Sequence, residues 1–375
     1  MAETYGIHVD RLVTIEMKRS GVANRGAILP LYEAAYRAQG RALTLLAAER
    51  LKEAVGRGEY VLITTGSGRP PWRPRGETDG PLGTASLARA LKLGLGARPV
   101  YIAAEPYLPP VLAASEAAGI TPGYDREMAE FDGFYPTALV RPFTLKREDA
   151  LDQSRALLDE LEPAAVVAIE TMGPNLKGVL HSANGHERPS EHATHAFHLT
   201  EEASRRGILT VGIGDFGNEV GCGVVAQELT TLMPYWAKCK CPCGSDPLCH
   251  VPSDVLVVGA ISNWAAYGVS ACLAYLQQNP SLLQSPEMER RMGIDCAYAG
   301  AEGEAGMKQP WVDGTSPETQ EAVVTMLADD SALEHVALGD KMVAAGHLGD
   351  RHTRLKRRLD NLQLVGRRDP RENMG

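Results

Sequence analysis

At 375 residues, the chain is long enough for one large α/β domain or two smaller ones, and its 44% hydrophobic and 23% charged composition is ordinary for a globular enzyme. A formal net charge of −9 argues against a general nucleic-acid-binding protein, since phosphate binding draws on excess Lys and Arg. No apolar run approaches the roughly eighteen residues of a membrane span, and the N-terminus lacks the pattern of a signal peptide. Seven cysteines, an odd number, do not indicate a secreted disulfide framework. We expect a cytoplasmic protein with neither nucleic acid nor membrane as partner.

Short apolar runs alternate with helical patterns along most of the chain. Strands are predicted at residues 60–65, 99–103, 138–140, 165–169, 209–213 and 255–259. Helices are predicted at residues 82–95, 110–118, 147–161, 191–206 and 224–233, and another begins near Trp264. This alternation predicts a three-layer α/β fold, a mostly parallel sheet with helices on both faces.

Both ends of the chain extend this core. Residues 8–20 are mixed and residues 19–26 indicate a loop, whereas residues 28–55 predict one or two helices interrupted around Gly40. No fixed-period repeat or low-complexity linker divides the chain. We therefore expect a single domain over residues 1–375, with a core at about 58–315, a helical N-terminal extension at 1–57 and a helical C-terminal tail at 316–375. The basic run at 351–368 is typical of a solvated helix face.

The segment at residues 208–233 predicts a strand, a tight turn and a helix, with two acids at the turn. Asp215 and Glu219 lie where the strand gives way to the helix, among several glycines. Small residues let the backbone approach a ligand closely and leave both acids free to bind a cation. Asn218 could instead cap the helix. We favour a functional loop over a purely structural turn.

Other polar side chains also follow predicted strands. Because open α/β sheets bind ligands at the carboxyl ends of their strands, residues distant in sequence can converge there. Packed carboxylates repel one another unless a cation lies between them, and oxygen ligands suit magnesium, manganese or calcium. The alternative is that some of these acids only cap helices. The candidate acids are Glu77, Asp79, Glu170, Asp215, Glu219 and Asp313.

A second cluster of potential ligands is rich in cysteine. Its spacing supplies enough soft ligands for a tetrahedral zinc, although it lacks the two separated Cys-x-x-Cys pairs of strong zinc motifs. A reduced or redox-sensitive loop is the alternative. The candidate zinc ligands are Cys239, Cys241, Cys243, Cys249 and His250.

Five of the ten histidines lie between residues 181 and 198. His181 and His186 follow Glu170, so either could face the predicted crevice. The other three, His192, His195 and His198, would share a polar stripe on the helix predicted at 191–206. A solvated helix face is the more common basis for that pattern.

Five motifs, in order, resemble those of the D-glutamate cyclase family, in its C-terminal domain. Residues 212–221 (GIGDFGNEVG) are similar to the family's GIGDGGNEIG. The others are residues 76–81 (GETDGP), 169–173 (IETMG), 258–264 (VGAISNW) and 312–314 (VDG). The chain departs from the family pattern at Phe216, where glycine is usual, and at Thr171, where arginine is usual. Residues 301–303 (AEG) replace a first Val-Asp-Gly.

The resemblance implies metal-dependent cyclisation of D-glutamate to 5-oxo-D-proline with loss of water. On this hypothesis Asp215, Glu219 and Glu170 hold manganese or magnesium, and Glu170 or Glu77 transfers protons. A small acidic molecule is the expected substrate, and a homo-oligomer is compatible with the sequence. The predicted substrate contacts are Asp79, Gly214, Asn218, Asn263, Trp264 and Asp313.

Three alternatives stay open from the sequence. Asn263 could cap a helix while Trp264 packs in the core. The metal site could serve a magnesium- or manganese-dependent phosphatase, with Arg19, Arg25 and Lys308 as phosphate-binding cations. A non-catalytic protein that binds an acidic amino acid would use the same cavity, with Phe216 blocking the reacting position.

Overall fold

The computed structural model describes residues 1–18, 25–131 and 135–328, which form seven strands and thirteen α-helices. The strands are β1 (Tyr60–Thr64), β2 (Arg98–Ala104), β3 (Thr121–Gly123), β4 (Thr137–Phe143), β5 (Ala165–Ile169), β6 (Leu209–Gly214) and β7 (Val255–Val258). The helices are α1 (Ala2–Val13), α2 (Ile28–Gln39), α3 (Leu43–Ala54), α4 (Pro81–Leu95), α5 (Leu108–Ala117), α6 (Arg126–Glu130), α7 (Arg147–Leu161), α8 (Phe197–Arg205), α9 (Ala226–Leu232), α10 (Pro234–Ala237), α11 (Ser262–Gln277), α12 (Pro286–Tyr298) and α13 (Pro317–Leu327).

All seven strands pair in parallel, in the order β3-β4-β2-β1-β5-β6-β7. From β1 the chain builds the sheet outward on one side, then returns to place β5 on the other side of β1. Val61 of β1 therefore pairs with Pro99 on one side and with Ala165 on the other. A reversal of this kind opens a crevice at the carboxyl ends of the two strands. The predicted three-layer α/β fold is confirmed.

Successive residues of each strand face opposite helical layers, which explains why the strands are apolar throughout. Val61 and Ile63 belong to a core that includes α3, α4 and α11. Leu62 and Val166 belong to a second core beneath α7 and α8. Burial on both faces removes the alternation of polar and apolar residues that marks a half-exposed strand. The sheet is thus the middle layer, and its carboxyl edge stays free for a site.

The helical N-terminal prediction holds, but α1 begins earlier than the irregular pattern of residues 8–20 indicated. Its buried face includes Asp10, whose carboxylate accepts hydrogen bonds from the backbone N–H groups of Leu43 (2.7 Å) and Thr44 (3.0 Å) at the start of α3. A buried acid interrupts the apolar stripe by which an amphipathic helix is recognised. The break between α2 and α3 falls at Gly40, where φ is 71°, as predicted.

Other boundaries differ from the prediction. The helix predicted at 191–206 begins at Phe197, because residues 190–192 form a separate short 3₁₀ turn. The short elements β3 and α6 were missed, since three to five residues carry too little periodicity to be recognised. In the C-terminal tail the structure describes α13, and the basic run at 351–368 lies outside the described residues. No described helix combines the length and apolar character needed to cross a membrane.

Candidate functional site

A cavity of about 580 Å³ lies at the carboxyl edge of the sheet, beside the reversal between β1 and β5. Acids contribute much of its wall, and three arginines face them. The charged lining residues are Glu77, Glu170, Asp215, Glu219, Glu302, Glu304, Asp313, Arg69, Arg73 and Arg188. The topology therefore brings together acids that are far apart in sequence.

Three carboxylates form what we call the oxygen cluster: Asp79, Glu170 and Asp215, with oxygens that all lie within 4.8 Å of one another. Asp79 reaches the cluster after the long loop that follows β1, whereas Glu170 and Asp215 directly follow β5 and β6. Glu170 adopts φ of 49°, a left-handed conformation that costs energy for a residue with a side chain. Strain at this position is consistent with a backbone held to aim a functional carboxylate.

Glu219 lines the same cavity but is held by its own loop. Its Oε2 accepts hydrogen bonds from the backbone N–H groups of Gly217 (2.9 Å) and Phe216 (3.2 Å). Gly214 makes this geometry possible, because a Cβ there would lie 2.8 Å from the Glu219 Cβ. Gly214 is not among the described residues that line the cavity, so its place is that of a spacer beneath Glu219.

Lys18 is the main site residue that sequence reasoning missed. Its side chain is 3% exposed and forms ion pairs with Asp215 and with Asp313, the latter at 2.8 Å. Its Nζ also lies 4.1 Å from the centre of the Phe216 ring. Burial alone would lower the pKa of Lys18, but the charges of Asp215 and Asp313 raise it well above its usual value. Lys18 is therefore a permanent cation beside the oxygen cluster.

Burial and mutual repulsion raise the pKa of every carboxyl in the oxygen cluster. Burial, followed by the charge of Asp313, raises the pKa of Asp79 to about 8. Burial and the charge of Asp215 raise the pKa of Glu170 well above its usual value. Burial also raises the pKa of Asp215, although Lys18 acts in the opposite direction. One ammonium thus faces an excess of acids, and the cluster must take up protons or a further cation.

The arginines on the facing wall differ in how they are paired. Arg73 binds Glu77 (2.5 Å) and Glu304 (2.7 Å), so its charge is already matched. Arg188 donates to the Ser67 hydroxyl (3.0 Å) and forms no ion pair with a carboxylate of the described residues. The charge of Glu77 acts on its guanidinium, but its Nε has no hydrogen-bond partner among the described residues, so it can still bind a negatively charged ligand. Arg69 is exposed and lies over the Trp72 ring at 5.0 Å.

Two of the three cations suggested for a phosphatase lie outside the cavity. Arg25 and Lys308 are exposed and are not among the described residues that line the cavity. Arg19 falls outside the described residues.

Asn263 and Trp264 were predicted to contact substrate, but both side chains lie in the protein interior. The Asn263 Oδ1 accepts from the backbone of Gly80 (2.8 Å) and Gly83 (2.7 Å), and its Nδ2 donates to the Thr78 carbonyl (3.0 Å). Both side chains are fully buried, and neither is among the described residues that line the cavity. These positions correct the prediction. Trp264 packs in the core, as the alternative held, but Asn263 lies inside α11 and caps the start of α4 rather than its own helix.

Asp79 is tied to the same region. Its carboxylate accepts from the backbone N–H groups of Ser262 (3.0 Å) and Asn263 (2.8 Å), at the start of α11. Asn218, by contrast, lines the cavity as expected of a substrate contact, and its Nδ2 donates to the His181 carbonyl (3.2 Å). Asp79 thus lies behind the cavity wall, within reach of a shared cation.

The departures from the family motifs occupy different places. Phe216 lines the cavity and packs against the Lys18 ammonium. Thr171 is buried, and its hydroxyl lies 2.8 Å from the Thr64 hydroxyl. Of these two residues, Phe216 is among the described residues that line the cavity, and Thr171 is not.

The cysteine-rich loop adopts a different ligand set from the predicted one. Cys239, Cys241 and Cys243 gather with His181, and we call these four residues the sulfur cluster. Cys249 is buried in the core, and the His250 ring bonds Asp246 at 3.0 Å. The cysteine spacing identified three of the four residues of the sulfur cluster, but the fourth comes from a separate loop.

The remaining histidines are placed individually. His186 lines the cavity. His198 pairs with Glu201 at 2.9 Å, whereas His195 is buried against Ser190. Because α8 begins at Phe197, His192 and His195 precede this helix and His198 lies on it. The three histidines therefore do not form the predicted stripe.

The fold and the cavity define an α/β protein with an acid-rich cavity at the strand-order reversal, the place where open α/β sheets bind their ligands. A protein-family model described as D-glutamate cyclase-like, C-terminal, matches residues 22–328, and the chain belongs to this family. The family indicated by the five sequence motifs is thereby confirmed. No match to a curated protein was found.

Proposed function

We propose that the cavity binds D-glutamate and that the protein cyclises it to 5-oxo-D-proline with release of water. The observation that carries this proposal is the pairing, in one cavity, of an excess of carboxylates with an arginine that no carboxylate of the described residues occupies. An acidic amino acid offers both an ammonium and carboxylates, and therefore complements both walls. Membership of the D-glutamate cyclase-like family favours glutamate among such molecules.

Each charged group of the substrate has a counterpart in the cavity. In the proposed pose, Arg188 binds the α-carboxylate through charge-assisted hydrogen bonds. The γ-carboxylate points toward Lys18 and the oxygen cluster, and the amine lies near Glu219. Holding the chain curled brings the amine close to the γ-carbon and removes most of the entropic cost of ring closure.

The oxygen cluster fits a hard divalent cation. The carboxylate oxygens of Asp79, Glu170 and Asp215 converge on one point, and the pKa values of all three groups are raised. A metal ion bound there would displace any proton that these carboxyl groups hold. Mn²⁺ or Mg²⁺ bound there would act as a Lewis acid on the γ-carboxylate. This ligand set replaces Glu219 of the sequence hypothesis with Asp79, because the oxygens of Asp79, Glu170 and Asp215 all lie within 4.8 Å of one another.

Ring closure requires proton transfer that the chain itself can supply. The ammonium nitrogen loses two protons as the C–N bond forms, and the departing carboxylate oxygen gains two to leave as water. Glu219 is the proposed carrier, because it lines the cavity and burial raises its pKa. Glu77 is less suited, since burial raises its pKa as well but its carboxylate is engaged in an ion pair with Arg73.

The two alternatives are less well matched to this cavity. A phosphate ester would bring negative charge alone to a wall that is mostly acidic. A non-catalytic binding protein would use the same contacts with glutamate but release no product. The products released from glutamate and from a phosphate ester therefore distinguish the cyclase, the phosphatase and the binding protein.

The test is a chiral mass-spectrometric assay of metal-stripped protein with D- or L-glutamate, with and without Mn²⁺. We expect metal-dependent loss of one water from the D form, abolished in Asp215→Asn. Asp152→Asn removes an 86% exposed carboxylate on α7 and serves as the matched control. Absence of product from folded, metal-loaded protein would overturn the proposal, and glutamate binding or phosphate-ester hydrolysis in the same samples would identify the alternative.

A further inference from the structure

We propose that the sulfur cluster is a structural zinc site that fastens one wall of the cavity to the cysteine-rich loop. The site is separate from the oxygen cluster, and the inference does not depend on the reaction proposed above. Its ligands are His181, Cys239, Cys241 and Cys243.

Four of the six distances between the ligand atoms lie within about 0.4 Å of the edges of a zinc tetrahedron. Cys239 Sγ lies 3.4 Å from the Sγ atoms of both Cys241 and Cys243. His181 Nε2 lies 3.2 Å from Cys241 Sγ and 3.8 Å from Cys243 Sγ. A tetrahedron with Zn–S of about 2.3 Å and Zn–N of about 2.0 Å has edges of roughly 3.5–3.8 Å. A disulfide would instead require about 2.05 Å between two sulfurs.

The backbone around the cluster is arranged to hold these ligands. The Cys243 N–H points to Cys241 Sγ at 3.4 Å, and Asn175 Nδ2 lies 3.5 Å from Cys243 Sγ. Donors of this kind orient thiolates and offset their charge. The same Asn175 amide donates to the Asp246 carbonyl at 2.7 Å, which ties the loop to the segment after β5.

The residues of the sulfur cluster are more buried than reactive thiols on a protein surface would be. His181 is 1% exposed and Cys239 is 6% exposed, while Cys241 and Cys243 are only partly exposed. Three thiolates and one imidazole, without an open position for water, are typical of a structural rather than a catalytic zinc site.

The cluster is directly connected to the cavity. The His181 carbonyl accepts from Asn218, which lines the cavity beside Glu219. Four residues that follow His181 contribute to the same wall: Ser182, Ala183, Asn184 and His186. The Lys240 N–H, between two ligands, donates to the Gly185 carbonyl at 2.7 Å. Zinc bound to His181 would therefore hold this wall in position.

The experiment begins with zinc analysis of the full chain by inductively coupled plasma mass spectrometry. We expect one zinc per chain, lost in Cys241→Ser and in His181→Ala. Cys296→Ala, a buried cysteine of α12, and His250→Gln, the histidine outside the cluster, should each keep it. Zinc retained in folded Cys241→Ser, or lost equally in His250→Gln, would overturn the assignment.

A second measurement needs no variant. X-ray absorption at the zinc edge should give three sulfur neighbours at about 2.3 Å and one nitrogen at about 2.0 Å. Co²⁺ replacing the zinc should give thiolate-to-cobalt charge-transfer absorption that saturates at one equivalent. An all-oxygen zinc environment, or folded protein that takes up neither metal, would refute the site.

Discussion

The oxygen and sulfur clusters lie on neighbouring loops, yet they are built in opposite ways. The oxygen cluster takes Asp79, Glu170 and Asp215 from the ends of three strands or the loops after them, and Lys18 adds a cation from the N-terminal extension. The sulfur cluster takes three ligands from five consecutive residues and one from the adjacent wall. The first is assembled by sheet topology and the second largely by local sequence. The difference suggests that the oxygen cluster performs chemistry and the sulfur cluster maintains shape.

The largest expected effect comes from breaking the oxygen cluster alone. Asp215→Asn should reduce cyclisation by roughly 10²–10⁴-fold, because it removes a cation ligand and the partner of Lys18. Zinc content should not change. The checks are steady-state kinetics and metal analysis of the same sample, and activity within a few-fold of the parent would contradict the role of the oxygen cluster.

Breaking the sulfur cluster should mainly affect stability. Cys241→Ser should lower the free energy of unfolding by more than about 4 kcal/mol, since losing a structural metal is among the largest single-residue effects. Any loss of activity should be mainly a rise in KM, because the cavity wall moves and the carboxylates remain. Chemical denaturation measures the change, with Cys296→Ala as the control. Unchanged stability in zinc-free protein would indicate that the metal does not hold the wall.

In metal-free protein, the oxygen cluster should make the free energy of unfolding depend on pH. The folded-state pKa of Asp79 is raised from 3.8 to about 8, so its protonation stabilises the fold fully below pH 4. That contribution is lost as pH rises from about 4 to 8, by an amount on the order of a few kcal/mol. Glu170 and Asp215 shift in the same direction. Added Mn²⁺ should restore stability at high pH, where the carboxylates are charged.

Urea unfolding between pH 5 and pH 9, with and without Mn²⁺, measures this dependence. Asp79→Asn should flatten the profile of the metal-free protein. A metal-free profile that rises with pH in the parent would contradict the sign derived from the raised pKa values.

The smallest expected effect concerns Lys18. Lys18→Met removes a cation that competes for Asp215, so Mn²⁺ should bind about tenfold more tightly, with activity reduced. Calorimetric titration measures the affinity, and Lys146→Met, with 73% side-chain exposure, controls for net charge. Weaker Mn²⁺ binding in Lys18→Met would mean that Lys18 positions the ligands rather than competing with the metal.

Individual residues show how much of the site could be predicted from the sequence. Asp215, Glu219 and Glu170 were identified because they follow strongly apolar runs, and the carboxyl ends of parallel strands meet at one edge. Asn263 and Trp264 lie in an equally distinctive motif, but whether they face a cavity or the core depends on how α11 packs against α4. The ligands Cys239, Cys241 and Cys243 were predicted from spacing, whereas His181 was not assigned to them.

By itself, the sequence determined the α/β alternation, the family and the acids at strand ends, because these depend on local periodicity and short motifs. Only the tertiary structure decided that Lys18 pairs with Asp215 beside the oxygen cluster, that Arg188 lines the same cavity, and that His181 joins the cysteines. No local pattern marks these residues, since their environment is built by segments far away in the chain. Charge complementarity and metal geometry are properties of the assembled fold.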